Sequence, residues 1–254
     1  MNLKILTLNT WQERGPWQER WEIIFAGLKS YSPDIVAFQE VFNMKWADEV
    51  QKRSGYPHLV KSNHDSGLIF LSKYPVKKSE CIILKTKSTY EDYLRYCHFA
   101  LFVIGKKRLN GFNTHLSWQL LDDETRLKQV EEIRSFEALK SIGGWFHFGA
   151  PRSAFIAGDF NSSSNKPAIE SVKSVWDDTF AIANPLDDGL TWNYTNPFAE
   201  RARARMPERR IDYIFTSQLI KGAIGSSKVV FDQPDSNGIF ASDHFGVMTE
   251  IELE

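Results

Sequence analysis

Short apolar runs that each stop at a polar or charged side chain constrain this chain more than any other feature. Ile35-Val36-Ala37-Phe38 has no polar face, as expected of a strand covered on both sides, and Gln39-Glu40 closes it. Residues 3–9 read as a strand ending at Asn9, and the run over 109–114 leads into His115. Ala154-Phe155-Ile156-Ala157-Gly158 leads into Asp159 and Asn161. Asp212 opens Tyr213-Ile214-Phe215, and Asp243-His244 precedes a last strand over 245–253. Charged groups beside apolar strands are costly to desolvate unless they bind a metal or one another.

Helical spacing fills the gaps. Trp21, Ile24, Phe25 and Leu28 share one face of a helix over 18–30, stopped by Pro33. A second helix fits 45–53, ended by Gly55 and Pro57. Runs at 67–72, 80–86, 97–104 and 109–114 read as an antiparallel meander. The strongest helix spans about 122 to 142, where Leu127, Val130, Ile133, Phe136 and Leu139 imply a broad buried face. Asp122, Asp123 and Glu124 suit the positive end of its dipole, and Gly143-Gly144 ends it. Further strands fall at 153–158, 211–216 and 227–231. Two strand-rich halves, two or three outer helices and no linker predict one domain over 1–254, a four-layer α/β sandwich rather than a barrel.

Composition removes several alternatives. With 254 residues, 42% hydrophobic and 25% charged, the chain is neither a disordered tail, a collagen-like fibre nor a small disulfide scaffold. Its 31 basic against 32 acidic residues leave a formal charge of −1, so any nucleic-acid contact must come from a local patch. No stretch approaches the ~18 apolar residues of a transmembrane segment. Cys81 and Cys97 lie inside strand-like runs and read as buried, reduced thiols. Met1 leads directly into a strand without a basic-then-apolar leader, which predicts a cytoplasmic protein.

The residue types at the strand ends suit one chemistry. Glu40 and Asp243 are hard oxygen ligands for Mg²⁺ or Mn²⁺, and no Cys/His cluster has zinc spacing. Two histidines near carboxylates supply acid and base near neutral pH. Together they suit hydrolysis at phosphorus by a water aligned at a metal site.

Ordered blocks then carry a family resemblance. They are Leu8-Asn9-Thr10-Trp11, Gln39-Glu40-Val41, the segment 66–75 (SGLIFLSKYP), Asn113-Thr114-His115-Leu116, Gly158-Asp159-Phe160-Asn161, Arg210-Ile211-Asp212-Tyr213-Ile214 and Ser242-Asp243-His244. Over nearly its whole length the chain resembles the endonuclease/exonuclease/phosphatase superfamily of metal-dependent phosphoesterases. Its members include type I deoxyribonuclease, abasic-site endonucleases, deadenylases, neutral sphingomyelinases and inositol polyphosphate 5-phosphatases. The resemblance implies two packed mixed β-sheets flanked by helices, an α/β/β/α sandwich with the site at one edge.

By position it also implies roles. Glu40 is the main metal ligand, with Asn9 and Asp243 beside it. Asp212 holds His244, Asp159 orients or deprotonates the attacking water, and Asn161 hydrogen-bonds the phosphate. His115 donates to a phosphate oxygen or protonates the leaving group, and Arg95 matches a basic position facing the phosphate. Whether Asp159 or His244 is the base stays open.

Two segments bear on the substrate. Arg201, Arg203, Arg205, Arg209 and Arg210 crowd the loop before Asp212, and guanidinium forks bind phosphate. Arg203 and Arg205, with Trp192 as a stacking surface, are the substrate-binding candidates. Three aromatics among the glycines of 143–149 suggest a lipid-touching tip or packing across the sheet edge. A nucleic acid or nucleotide is the expected phosphoester, ahead of a phospholipid and then a sugar or inositol phosphate. A catalytically silent binding module on the same fold is the alternative of another class. Oligomeric state, endo or exo action and the metal used are not legible.

Overall fold

The computed structural model describes all residues except 63, 142–152, 218–223 and 254. In chain order they form β1 (Asn2–Asn9), α1 (Trp17–Tyr31), β2 (Ile35–Gln39), α2 (Met44–Ser54), β3 (His58–Lys61) and β4 (Ile69–Ser72). Next come β5 (Val76–Leu84), β6 (Arg95–Ile104), β7 (Lys107–His115), α3 (Asp123–Ser141) and β8 (Ala154–Asp159). The remainder forms α4 (Pro167–Lys173), β9 (Trp176–Asp178), α5 (Thr179–Ala183), α6 (Pro197–Glu200), β10 (Asp212–Ser217), β11 (Ile224–Val230) and β12 (Gly246–Glu252).

Two six-stranded sheets result, ordered β11-β12-β1-β2-β4-β3 and β5-β6-β7-β8-β10-β9. Each is mixed: β1 runs parallel to β2 and β7 parallel to β8, while their other neighbours are antiparallel. The apolar run in β2 shows why the fold has four layers. Ile35 and Ala37 join the core between the sheets with Leu3, Ile5, Phe102 and Phe155. Val36 and Phe38 point the other way, into a second core with Trp21, Ile24 and Leu28 of α1. On the far side, Phe112, Ile156 and Phe215 meet Val130, Ile133 and Phe136 of α3 and Ile169 of α4. Each fully buried side chain of this kind contributes ~1.5–3 kcal/mol, so a strand apolar on both faces is stable only when both are covered.

Several expectations need correction. The run at 67–72 is not part of the meander, because β4 pairs with β2 and β3 in the first sheet; the meander is β5-β6-β7. The strands β3 and β9 and the helices α4, α5 and α6 are too short to display a period. On α3, Val130, Ile133 and Phe136 are buried, but Leu127 is half-buried and Leu139 is 74% exposed. Three-residue steps turn through ~300° each, so the row winds off the core face. Arg126 and Gln129 are buried there instead. Cys81 and Cys97 are buried free thiols. Among the described residues, no helix is long and apolar enough to cross a membrane. The aromatic segment 143–149 and its His147 lie outside the described residues.

Candidate active site

Strand direction gathers the polar residues. The parallel pairs β1/β2 and β7/β8 finish at one edge of the sandwich, where β10 begins and the turn into β12 passes. Asn9, Glu40, His115, Asp159, Asn161, Asp212, Asp243 and His244 therefore meet on one floor. His115 and Asp212 both stand in register with Asp159. Gly158 lets β7 and β8 close up, since at its φ of +146° a Cβ would lie 2.0 Å from the Thr114 carbonyl oxygen.

Hydrogen bonds join the two sheets at this floor. Asn9 Nδ2 donates to Asp159 Oδ2 at 3.0 Å and to Glu40 Oε1 at 3.3 Å, while Asn9 Oδ1 accepts from the Trp11 amide. One layer below, Gln39 Nε2 donates to Asn113 Oδ1 at 2.8 Å, and Asn113 donates to the Phe38 and Ile69 carbonyls. Ser242 Oγ donates to the Asn9 carbonyl at 2.6 Å and so ties the Asp243-His244 turn to β1. The sequence reading missed Gln39, Asn113 and Ser242 as supports. Gln39, the one polar side chain of an otherwise apolar strand, carried the available signal for the first.

His244 and Asp212 form a close pair, Nδ1 to Oδ2 at 2.9 Å, with His244 Nε2 3.7 Å from Asp159 Oδ2. Burial alone would lower the His244 pKa, but Asp212, Asp159 and Asp243 outweigh it and raise it to about 10. Burial lifts Asp159 to about 6, with Asp212 adding and His244, Asn9 and the Asn161 amide opposing. Burial and then the Glu40 charge lift Asp243 to about 7, against His244 and Arg20. His115 is pushed well below its usual value by burial, then by Arg95 and His244, so its ring is neutral. Its Nε2 lies 3.4 Å from Asp159 Oδ2 and its Nδ1 3.9 Å from Glu40 Oε1.

The floor fits a divalent cation. Glu40 Oε2 is buried with no hydrogen-bond partner, on a residue held at a φ of 64° directly after β2. A buried carboxylate oxygen without a donor is costly, and a metal removes that cost. Among the described residues, Asp159, Asp212 and His244 also offer ligand atoms within 4.8 Å of one another. There, however, the imidazole Nδ1 is already paired with Asp212, and an imidazolium has no lone pair to give. Glu40, with Asp243 beside it, is the better seat.

Two clefts open from this floor. One, of about 890 Å³, is lined by His115, Asp159, Asn161, Asp243 and His244, with Trp11, Trp118, Leu121, Trp192 and Arg205 on its walls. The other, of about 570 Å³, shares Glu40, Arg14, Tyr93 and His115 and extends past Phe42, Ser66, Arg95 and Tyr96. Trp192 packs edge-on against His244 with ring centres 5.0 Å apart. Arg95 is pinned by Glu91 at 2.9 Å and by the Tyr93 hydroxyl. Arg203 lies over the Tyr194 ring instead, Arg201 lies over Phe198, and Arg210 makes a bidentate pair with buried Asp178. His64 stacks on Tyr96, and His98 is a core residue bonded to the Leu68 carbonyl.

Buried arginines hold both walls. Arg20, fully buried in α1, donates to the carbonyls of Thr10, Trp11, Gln12, Arg14 and Ala241 at 2.7–3.2 Å. This fixes a loop in which Trp11 and Gln12 have φ of 55° and 51°. On the facing wall, Arg126 donates to the carbonyls of Ser117, Gln119 and Leu120.

A sequence model of the Endonuclease/Exonuclease/phosphatase family matches residues 6–244. The chain belongs to that family. It is accordingly a metal-dependent phosphoesterase. An uncharacterized Caenorhabditis elegans protein is 22% identical over 295 residues, spanning 98% of this chain and 90% of its own length. Among solved structures, D. rerio TDP2 complexed with single strand DNA product superposes with a TM-score of 0.78 at 17% identity, over 99% of each chain. Beta toxin from Staphylococcus aureus gives 0.79 at 19%, over 97% of this chain and 99% of that one. An endonuclease/exonuclease/phosphatase from Bacteroides vulgatus gives 0.77 at 20%, over the whole of both chains. The structural likenesses establish the shared sandwich fold.

Proposed function

We propose that the chain, acting as one unit, hydrolyses phosphodiesters by in-line attack of water, with Mg²⁺ or Mn²⁺ held at Glu40 and Asp243. The observation that carries this reading is the meeting of two clefts at one catalytic floor. A phosphate ester with one substituent needs one arm of space, whereas a diester needs one on each side. When bound, the divalent ion supplies a Lewis acid that polarises a phosphoryl oxygen.

This chain's own groups take up the water's proton and hold the phosphate. Asp159 accepts the proton of the attacking water, since a carboxylate raised to about 6 is ionised yet basic near neutrality. His244 is surrounded by three carboxylates and stays an imidazolium; it clamps the phosphate charge and is a poor base. Asp212 orients it, as a carboxylate orients imidazole in hydrolytic triads. Asn161 Nδ2 gives one hydrogen to the Leu116 carbonyl and keeps another for the phosphate. Neutral His115 donates a hydrogen bond to the leaving-group oxygen, which takes its proton from solvent as it departs.

A second, finer reading makes the diester a nucleic acid. The fold neighbour complexed with single strand DNA product and the presence of Arg205, Trp11 and Trp192 in the larger cleft favour it. The deciding experiment compares kcat/KM for bis(p-nitrophenyl) phosphate and p-nitrophenyl phosphate with Mn²⁺, each against EDTA. The diester is expected to lead by ~10² or more. A preference for the monoester overturns the reading.

A further inference from the structure

Of the thirteen large hydrophobic side chains exposed among the described residues, five line one lip of the larger cleft and a sixth, Leu94, continues it into the smaller one. Tyr90, Tyr93 and Leu94 come from the loop between β5 and β6, and Trp118, Leu120 and Leu121 from the loop between β7 and α3. Leu121 is 78% exposed. Scattered exposed leucines are ordinary, but a contiguous apolar lip beside a catalytic floor marks a binding surface.

Three buried polar side chains hold this lip in shape. Arg126 bonds three carbonyls of the 117–120 backbone. Gln129, fully buried, accepts from the Ser117 amide and donates to Ser117 Oγ and the Thr86 carbonyl. Glu91, 5% exposed, accepts from the Trp118 amide at 2.6 Å and from Arg95, joining the two loops. Burying an arginine, a glutamine and a glutamate to fix a loop that presents leucine to water is unfavourable unless something apolar covers it. Preorganisation of this kind lowers the entropy cost of binding.

We infer that the lip seats an apolar, aliphatic arm of the substrate, so that the phosphodiester cleaved is an amphiphile. This rests on the phosphodiesterase reading above and stands against its finer nucleic-acid version, from which the test separates it. Tyr90, Tyr93 and Trp118 offer ring faces to an alkyl chain or a base alike, but Leu120 and Leu121, the latter the most exposed side chain of the lip, offer none on which a base could stack. Beyond the His244 imidazolium on the floor, the cations lining the larger cleft are Arg14 and Arg205, which suits one phosphate better than a run of them, and exposed Asp92 on the lip would repel a polyanion. The same chemistry could arrive as a soluble alkyl diester or as a lipid packed in a bilayer.

The test is kcat/KM for p-nitrophenyl alkyl phosphates, methyl to octyl, kept monomeric, with Mn²⁺. The expected result is a rise of about threefold per methylene until the lip is covered. In Leu120→Ser/Leu121→Ser that slope should flatten without loss of melting temperature, since both side chains are exposed. Leu186→Ser, at a fully exposed site away from the clefts, should keep the slope. Phosphatidylcholine vesicles cleaved faster than a monomeric short-chain analogue would identify the packed source, and the reverse the soluble one; either supports the inference. A flat slope with active enzyme overturns it, as does a thymidine p-nitrophenyl phosphate tenfold better than the octyl ester. If no diester is turned over while a monoester is, the phosphodiesterase reading has failed instead.

Discussion

At the floor of the cleft, charged side chains hold one another, whereas on its walls buried charges hold backbone. Asp212, His244, Asp159, Asn9 and Glu40 form a chain of contacts between 2.9 and 3.7 Å. Arg20 and Arg126 instead fix loops through carbonyl oxygens, five in one case and three in the other. The difference teaches where substitutions act. Asp159 is a buried carboxylate raised by burial and by its neighbour Asp212, so removing it harms chemistry more than folding. A wall arginine satisfies buried acceptors, so removing it harms the fold first.

The largest effect should come from the floor. Asp159→Asn is expected to cut turnover by ~10² or more while the thermal melt stays level or rises, because a carboxylate destabilised by burial and by Asp212 is gone. A collapse of the melt would show that floor and wall do not differ in this way. Next, Arg20→Met should lower the urea-unfolding free energy by about 3 kcal/mol, and Arg126→Met by about 2. A staple removed without loss of stability would break the comparison from the other side.

The core beneath both offers a pH test. Burial holds His98 neutral, lowering its pKa to about 4, while its ring bonds the Leu68 carbonyl. The folded value lies below the unfolded one, so the contribution is complete above pH ~6.5 and is lost as pH falls from there to about 4. It amounts to about 3 kcal/mol. His98→Asn, which keeps a donor for Leu68, should remove that part of the pH slope of urea midpoints; an unaltered slope would exclude His98 as its source. Smallest of these, Arg205→Ala should raise KM about fivefold, with Arg203→Ala near wild type. Equal effects would mean that the arginine loop acts as a diffuse field.

The same contrast between floor and wall decides what the sequence disclosed. Glu40, Asp159 and Asp243 were legible because each follows or precedes an apolar run, where a charge is costly unless it binds a metal or a neighbouring charge. The buried face of α1 was legible from Trp21, Ile24 and Leu28. The staples were not: Arg20 and Arg126 sit in helices where a charge normally faces water, and their partners are carbonyls that leave no trace in side-chain type. The arginine crowd over 201–210 divides for a related reason: Arg205 lines the larger cleft, whereas Arg210 is held elsewhere. Arg210 pairs with Asp178, 32 residues away, a contact that only the β9–β10 pairing creates. The lip at Leu120 and Leu121 has neither helical nor strand period, so nothing local distinguishes it from an ordinary loop.

The proposed mechanism makes cleavage at this floor depend on Glu40 as the seat of the metal. Mn²⁺ titrated by calorimetry into wild type and Glu40→Gln, alongside bis(p-nitrophenyl) phosphate turnover, tests that dependence most directly. Wild type should bind the ion with turnover following occupancy, and Glu40→Gln should lose both. Undiminished binding and turnover in Glu40→Gln, or full turnover in EDTA, would contradict it.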